Sequence, residues 1–283
     1  MEQARSTESS LSTTDGVTLA VEQSPGQAAV VLLHGLTATR RYVLMGSRRL
    51  ERSGHRVISY DARGHGHSDR APNPAAYDYG RLADDLRGVM DTLGLDRAIL
   101  AGASMGAHTA LRFTLEDPDR VAGLVLITPA YDPQSTDWQE GSRAFAGWDA
   151  LARGLREGGV EGFVAAYGLS AVPERWRATI EKVLYQRLSA HDHPLAVADA
   201  LETVPRSKPF EDLEQLTTLT VPTIVIASRD DADPGHPLAV GRSYSQSIPG
   251  ASLIVESSEQ SPIAWQGGKL SSLIAELSGR VSW

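Results

Sequence analysis

The residues Gly102-Ala103-Ser104-Met105-Gly106 constrain this chain more than any other stretch. They follow the apolar run 98–101, read as a strand, and precede a helical pattern that runs from Ala107 toward Leu115 and stops before Pro118. A serine on so sharp a strand-to-helix turn needs small neighbours, because the strained backbone brings the flanking residues together. Here those neighbours are glycines and alanines. The turn lifts Ser104 Oγ out of the sheet and sets it at a helix N-terminus, where backbone N–H groups stabilise developing negative charge. That is the setting of a nucleophile, whereas the bland alternative for G-x-S-x-G is a tight turn with an N-capping serine.

The surrounding pattern supplies the sheet that such a turn requires. Runs 57–60, 98–101 and 124–128 are nearly continuous apolar segments, the signature of strands buried on both faces of a parallel sheet. Runs 17–21 and 28–33, separated by Ser24-Pro25-Gly26, predict a hairpin-like opening after a frayed start. Leu82, Leu86, Val89, Met90 and Leu93 recur at helical spacing, which with Asp78 as N-cap and Gly94 past the C-terminus predicts a helix over 79–93. Strands at 223–227 and 253–255 follow. After the second, Ser261 as N-cap and Pro262 at the first position predict a closing helix with Leu270, Leu273, Ile274 and Leu277 on one face. Alternating strands and helices predict a doubly wound, mostly parallel α/β sheet.

The alternation stops between 132 and 210. No strand pattern occurs there, while Trp138, Trp148, Phe163, Tyr167 and Trp176 punctuate helical spacing. The expected organisation is a core formed by 1–131 and 211–283, with a helical cap inserted at 132–210 whose aromatics either pack its own core or line a cleft.

Composition removes whole classes of function. The chain of 283 residues has no cysteine, so disulfides, thiolate metal sites and a cysteine nucleophile are excluded. Its 27 basic and 35 acidic residues leave a charge of -8 with no basic run to follow a phosphate backbone, so no nucleic-acid partner is expected. The first residues are polar with no apolar signal core, and no stretch reaches the ~18 apolar residues of a membrane span. A cytoplasmic protein with a small-molecule substrate, no cofactor and no metal is the expectation.

With these motifs in place the chain resembles the α/β-hydrolase superfamily over nearly its whole length outside the cap. His34-Gly35 after an apolar strand resembles that family's oxyanion loop, and Asp61-Ala62-Arg63-Gly64-His65-Gly66-His67-Ser68 resembles its D-x-R-G-x-G-x-S loop. The resemblance implies that the backbone N–H groups of Leu36 and Met105 are the oxyanion donors. His34 and the 61–68 loop read better as braces around the site than as chemical groups.

The resemblance also implies an acid after the next-to-last strand and a histidine after the last. Distance from the strand end favours Asp231 as the acid, while the D-P-x-x-P pattern favours Asp233, which we adopt. For the base, Ser261-Pro262 aligns with the family's G-H-S-P loop and puts Gln260 where the histidine belongs, with no histidine after His236. An amide cannot accept a proton at neutral pH, so Gln260 cannot act as a general base. Among substitutes, His236 comes first by proximity to Asp233, although Pro234 and Pro237 around it read as a loop or helix start. His108 follows the nucleophile by one helical turn. His191 and His193 lie in the cap without a third metal ligand nearby.

Two functions remain open on these residues. One is a serine-hydrolase-type enzyme acting on a small ester, thioester or related acyl compound through Ser104, Asp233 and an atypical site bearing Gln260. The other is a non-hydrolytic ligand-binding protein of the same fold, a reading in which Glu259 would bring an unhelpful carboxylate near the nucleophile.

Overall fold

The computed structural model describes residues 6–231, 233–258 and 260–283. In chain order its strands and α-helices are β1 (Thr7–Ser12), β2 (Thr18–Gln23), β3 (Ala29–Leu33), α1 (Arg49–Arg52), β4 (Arg56–Tyr60), α2 (Tyr79–Thr92), β5 (Ala98–Ala103), α3 (Met105–Glu116) and β6 (Val121–Ile127). The inserted helices α4 (Arg143–Tyr167), α5 (Glu174–Leu188) and α6 (Pro194–Thr203) come next, then β7 (Thr223–Ala227), α7 (Leu238–Ser247), β8 (Ser252–Val255) and α8 (Gly267–Ser278).

The strands form one sheet in the order β1-β2-β4-β3-β5-β6-β7-β8. It is parallel from β4 to β8, and β1 and β2 run antiparallel at one edge. Its central strands β3, β5, β6 and β7 are buried on both faces and so need apolar residues at consecutive positions. Val31, Leu33, Leu100, Leu124, Leu126 and Val225 join the α2, α3 and α7 side of the core. Val30, Leu32, Ile99, Val125, Ile127 and Ile226 join the side covered by α1 and α8.

Two expectations at the ends of the chain are corrected. The opening hairpin is β1–β2, not 17–21 with 28–33, because both edges of β3 are taken by β4 and β5. The polar run Thr7–Ser12 escapes a hydrophobicity reading because an edge strand with its side chains in solvent needs no apolar alternation. At the other end, Ser261 and Pro262 do not open the last helix. They precede a short 3-10 turn, Ile263–Trp265, and α8 starts only at Gly267, with Leu270, Leu273, Ile274 and Leu277 buried as the spacing predicts.

The inserted helices have an apolar centre of their own. Ala152, Leu155 and Phe163 of α4, Leu184 and Leu188 of α5, and Val197 and Leu201 of α6 pack together. Within α4, Gly159 takes φ +61° and breaks the helix, so that the backbone of Gly162 folds back onto Gly154, where a Cβ would lie 2.5 Å from the Gly162 carbonyl oxygen. The insertion sits on the C-terminal ends of the strands. Leu36, in the loop after β3, packs both into this cluster and into a second one shared by Met105, Tyr79, Ala196 and Ala200.

Candidate active site

Ser104 sits between β5 and α3 with φ 49° and ψ −112°, a conformation that L-residues avoid and that surrounding structure must enforce. The enforcing contacts explain the two glycines. A Cβ on Gly102 would lie 2.1 Å from the Gly106 carbonyl oxygen, and one on Gly106 would lie 2.2 Å from that of Leu33. The same crowding brings the loop after β3 against the turn, since a Cβ on Gly35 would be 3.4 Å from Ser104 Cβ. Ser104 itself remains partly accessible.

The loop after β7 delivers the groups that face this serine. His236 Nε2 lies 3.0 Å from Ser104 Oγ, and His236 Nδ1 lies 2.9 Å from each carboxylate oxygen of Asp233. With Nδ1–H donating to the carboxylate, Nε2 is left as the acceptor for the Ser104 hydroxyl. Pro237 stands immediately before α7, so the prolines around His236 do mark a helix start, and that start projects the imidazole toward Ser104. The three aspartates of this loop have separate partners. Asp230 accepts from the Leu238 N–H at the start of α7, Asp231 pairs at the surface with Arg229 and Arg175, and Asp233 holds His236.

Burial would push the His236 imidazolium down, but the charge of Asp233 and its hydrogen bond outweigh burial, against a smaller opposing effect of Arg187. The net result is a value above the ordinary histidine range. The side chain keeps 27 % exposure, which leaves the ring open to an incoming molecule.

Gln260 is placed differently from its sequence alignment. It is exposed, its backbone N–H bonds to the Ser257 carbonyl, and the imidazole beside Ser104 comes from His236 instead. Sequence position misled because alignment to a loop after the last strand presumes that this strand supplies the base, whereas Ser104 and His236 meet across 132 residues of chain. The legible signal was the i,i+3 pair Asp233 and His236, together with the absence of any later histidine. Glu259 lies outside the described residues.

Three of the other histidines are held by hydrogen bonds within the fold. His34 accepts from the Ala62 N–H at Nε2 and bonds its own loop at the Gly35 carbonyl, and burial lowers its pKa. His108 accepts from Ala130 and Tyr131 N–H groups at Nε2 and meets the Tyr79 hydroxyl at Nδ1. Burial pushes it down to about 3. His191 accepts from the Gly66 N–H and donates to the Thr37 carbonyl, with burial taking it to about 4. His193 stands just before α6. In the 61–68 loop, Asp61 accepts from the Arg40 and His67 N–H groups, and Arg63 pairs with Asp85, so this loop braces the site. Among the described residues no three His, Asp or Glu side chains are grouped as metal ligands. None of the described helices is long and apolar enough to cross a membrane.

Leu36 and Met105 are brought together, as their side chains share one apolar cluster. Of the cap aromatics, Trp138 packs on Tyr131 and Phe163 is buried in the cap centre. Tyr167 is 40 % exposed and feels the charges of Asp233 and Arg187, and Trp176 packs edge-on against Trp265.

The family is shown by direct comparison. Residues 28–260 match the model of the alpha/beta hydrolase fold family, and the chain belongs to it. Fold and family together make it a hydrolase of the serine-hydrolase type. Its similarity to individual proteins is moderate. RutD of Variovorax paradoxus, assigned as a carbamate hydrolase, is 30% identical over 205 residues, which is 72% of this chain and 74% of that one. Among solved structures, a thermophilic esterase from Thermogutta terrifontis is 26% identical with a TM-score of 0.77, covering 98% of this chain and 99% of its own. A hydrolase from Pseudomonas aeruginosa is also 26% identical, with a TM-score of 0.74 and coverage of 94% and 98%.

Proposed function

We propose that this chain hydrolyses a small carboxylic ester or lactone through a Ser104–His236–Asp233 relay, in which the loop after β7 supplies both base and acid. The observation that carries this reading is the continuous line of contacts from Asp233 through both nitrogens of His236 to Ser104 Oγ. The likeness to the Thermogutta terrifontis esterase supports the substrate class. The site is atypical in the origin of its histidine, and Gln260 takes no part as a base. The same reading divides the chain into a catalytic core at 1–131 and 211–283 and a cap at 132–210.

In the reaction, Ser104 Oγ attacks the acyl carbon while its proton passes to His236 Nε2. The carbonyl oxygen becomes an oxyanion held by the backbone N–H groups of Leu36 and Met105, the first of these on the loop that abuts the elbow at Gly35. His236 returns the proton to the departing alkoxide, leaving an acyl-serine. Water, deprotonated by the same nitrogen, then attacks the acyl carbon, and His236 returns that proton to Ser104 Oγ as the C–Oγ bond breaks and the carboxylic acid leaves. Asp233 holds the ring in the tautomer that leaves Nε2 free and stabilises the imidazolium between transfers.

A fluorophosphonate probe tests this directly. The native chain is expected to be labelled at Ser104, and Ser104→Ala and His236→Ala are expected to stay unlabelled. Absence of labelling in the folded native chain, or full labelling of the His236 variant, sinks the proposal.

A further inference from the structure

Two arginines that reach into the interior, Arg63 and Arg40, are paired with carboxylates, whereas Arg187, like the partly buried Arg56 and Arg97, bonds only neutral acceptors. Arg63 meets Asp85 at 2.7 Å and Asp15 at 2.9 Å, and Arg40 meets Asp61 and Glu8. Arg187 has no carboxylate within salt-bridge distance among the described residues. Its hydrogen bonds leave Nη2, at 2.9 Å to the Leu36 carbonyl and 2.8 Å to the Thr37 hydroxyl, and its buried Nε has no partner among the described residues. Arg97 also has an unmet Nε, but it lies before β5 at the opposite end of the sheet.

The position of Arg187 gives this vacancy meaning. Helix α5 lies across the ends of the strands. At its start Arg175 pairs with Asp231 after β7 and Trp176 packs on Trp265 beyond β8, while near its end Arg187 bonds the loop after β3. Eleven residues of helix span about 16 Å, and the four strand steps from β8 to β3 span about 19 Å. The helix therefore bridges over β5, where Ser104 stands. Arg187 grips the loop after β3 at Leu36 and Thr37, next to Gly35, where that loop abuts Ser104. A buried guanidinium N–H without an acceptor is costly, and an anion beside the guanidinium is the usual resolution of its charge.

We infer that Arg187 anchors a carboxylate of the substrate, so that the preferred substrates are esters or lactones whose acyl part carries a second, free carboxylate. This rests on the hydrolytic reading above but makes a separate demand on specificity. The grip on the Leu36 carbonyl offers a competing explanation, in which Arg187 is a positioning residue that only holds the oxyanion loop, and the two separate by experiment.

The test compares 4-nitrophenyl butyrate with mono-4-nitrophenyl glutarate, which share a leaving group and acyl chain but differ by the terminal carboxylate. The native chain is expected to favour the glutarate ester in kcat/KM by roughly tenfold to a hundredfold, as charge-assisted hydrogen bonds of this kind allow, mainly through KM. Arg187→Gln is expected to abolish that preference, and Arg187→Lys to restore part of it. If both esters fall together in Arg187→Gln, or the native chain shows no preference, the anchor is overturned while the hydrolase stands. If neither ester is turned over, glutarate binding to Ser104→Ala is measured by calorimetry. Binding that Arg187→Gln removes keeps the anchor and overturns the hydrolase, and no binding overturns both.

Discussion

The loops that follow β7 and β8 lie on neighbouring strands at the same end of the sheet, yet one carries the proposed chemistry and the other carries structure. After β7, Asp233 and His236 reach Ser104. After β8, the buried carboxylate of Glu256 accepts from the Arg229 N–H at 2.8 Å and from the Ile263 N–H at 3.4 Å, while Ser257, Ser258 and Gln260 face solvent. Glu256 thus fastens the base of the β7 loop. A proton relay needs an imidazole with a carboxylate behind it and a hydroxyl in front, and the strand from which it comes is secondary.

Variants in the two loops press on that contrast. The largest effect belongs to His236→Ala, which is expected to cost on the order of 10⁵- to 10⁶-fold in kcat, as removal of the base does in a serine protease. Turnover within tenfold of the native rate would return the base to another residue. Asp233→Asn follows, with an expected loss on the order of 10⁴-fold. Asp231→Asn, at a surface ion pair, should stay within about twofold, and equal losses in the two variants would erase the distinction between the aspartates.

The pH profile sharpens the same assignment. His236 must be neutral to accept the Ser104 proton, so activity is lost as pH falls through its pKa. Because Asp233 raises that pKa, the acid limb of kcat/KM should lie above the ordinary histidine value. It should move down in Asp233→Asn. It should move up in Arg187→Gln, since the guanidinium opposes protonation. A limb unmoved by either variant would place the titrating group elsewhere.

On the structural side, Glu256→Ala leaves the Arg229 N–H without its acceptor. It should destabilise the fold by about 1–3 kcal/mol, read as a lower midpoint in urea unfolding. Gln260→His, like Asp231→Asn, is expected to stay within about twofold of native activity. A large gain there would mean that the loop after β8 can still seat a base.

Much of this was legible in the sequence because it is local. The 98–107 stretch encodes strand, turn and helix within one segment, and Leu82, Leu86, Val89 and Met90 give α2 a buried face, with Asp78 accepting from the Arg81 N–H as its cap. What escaped depends on partners far along the chain. His236 meets Ser104, and Arg187 meets Leu36, across separations that no motif spans. The strand β1 escaped for the opposite reason, since a polar edge strand is specified by backbone pairing with β2 and leaves little mark on side-chain pattern.

The placement of Asp233 and His236 three residues apart also changes what the fold has to get right. When acid and base arrive on different loops, two independent loop positions must each be held to a fraction of an ångström. Here their mutual distance is set by the short backbone stretch Asp233-Pro234-Gly235-His236, and only one rigid-body relation, that of this segment to Ser104, is left for the rest of the molecule to fix. A displacement of the β7 loop therefore disengages acid and base from the serine together and leaves their own pairing intact.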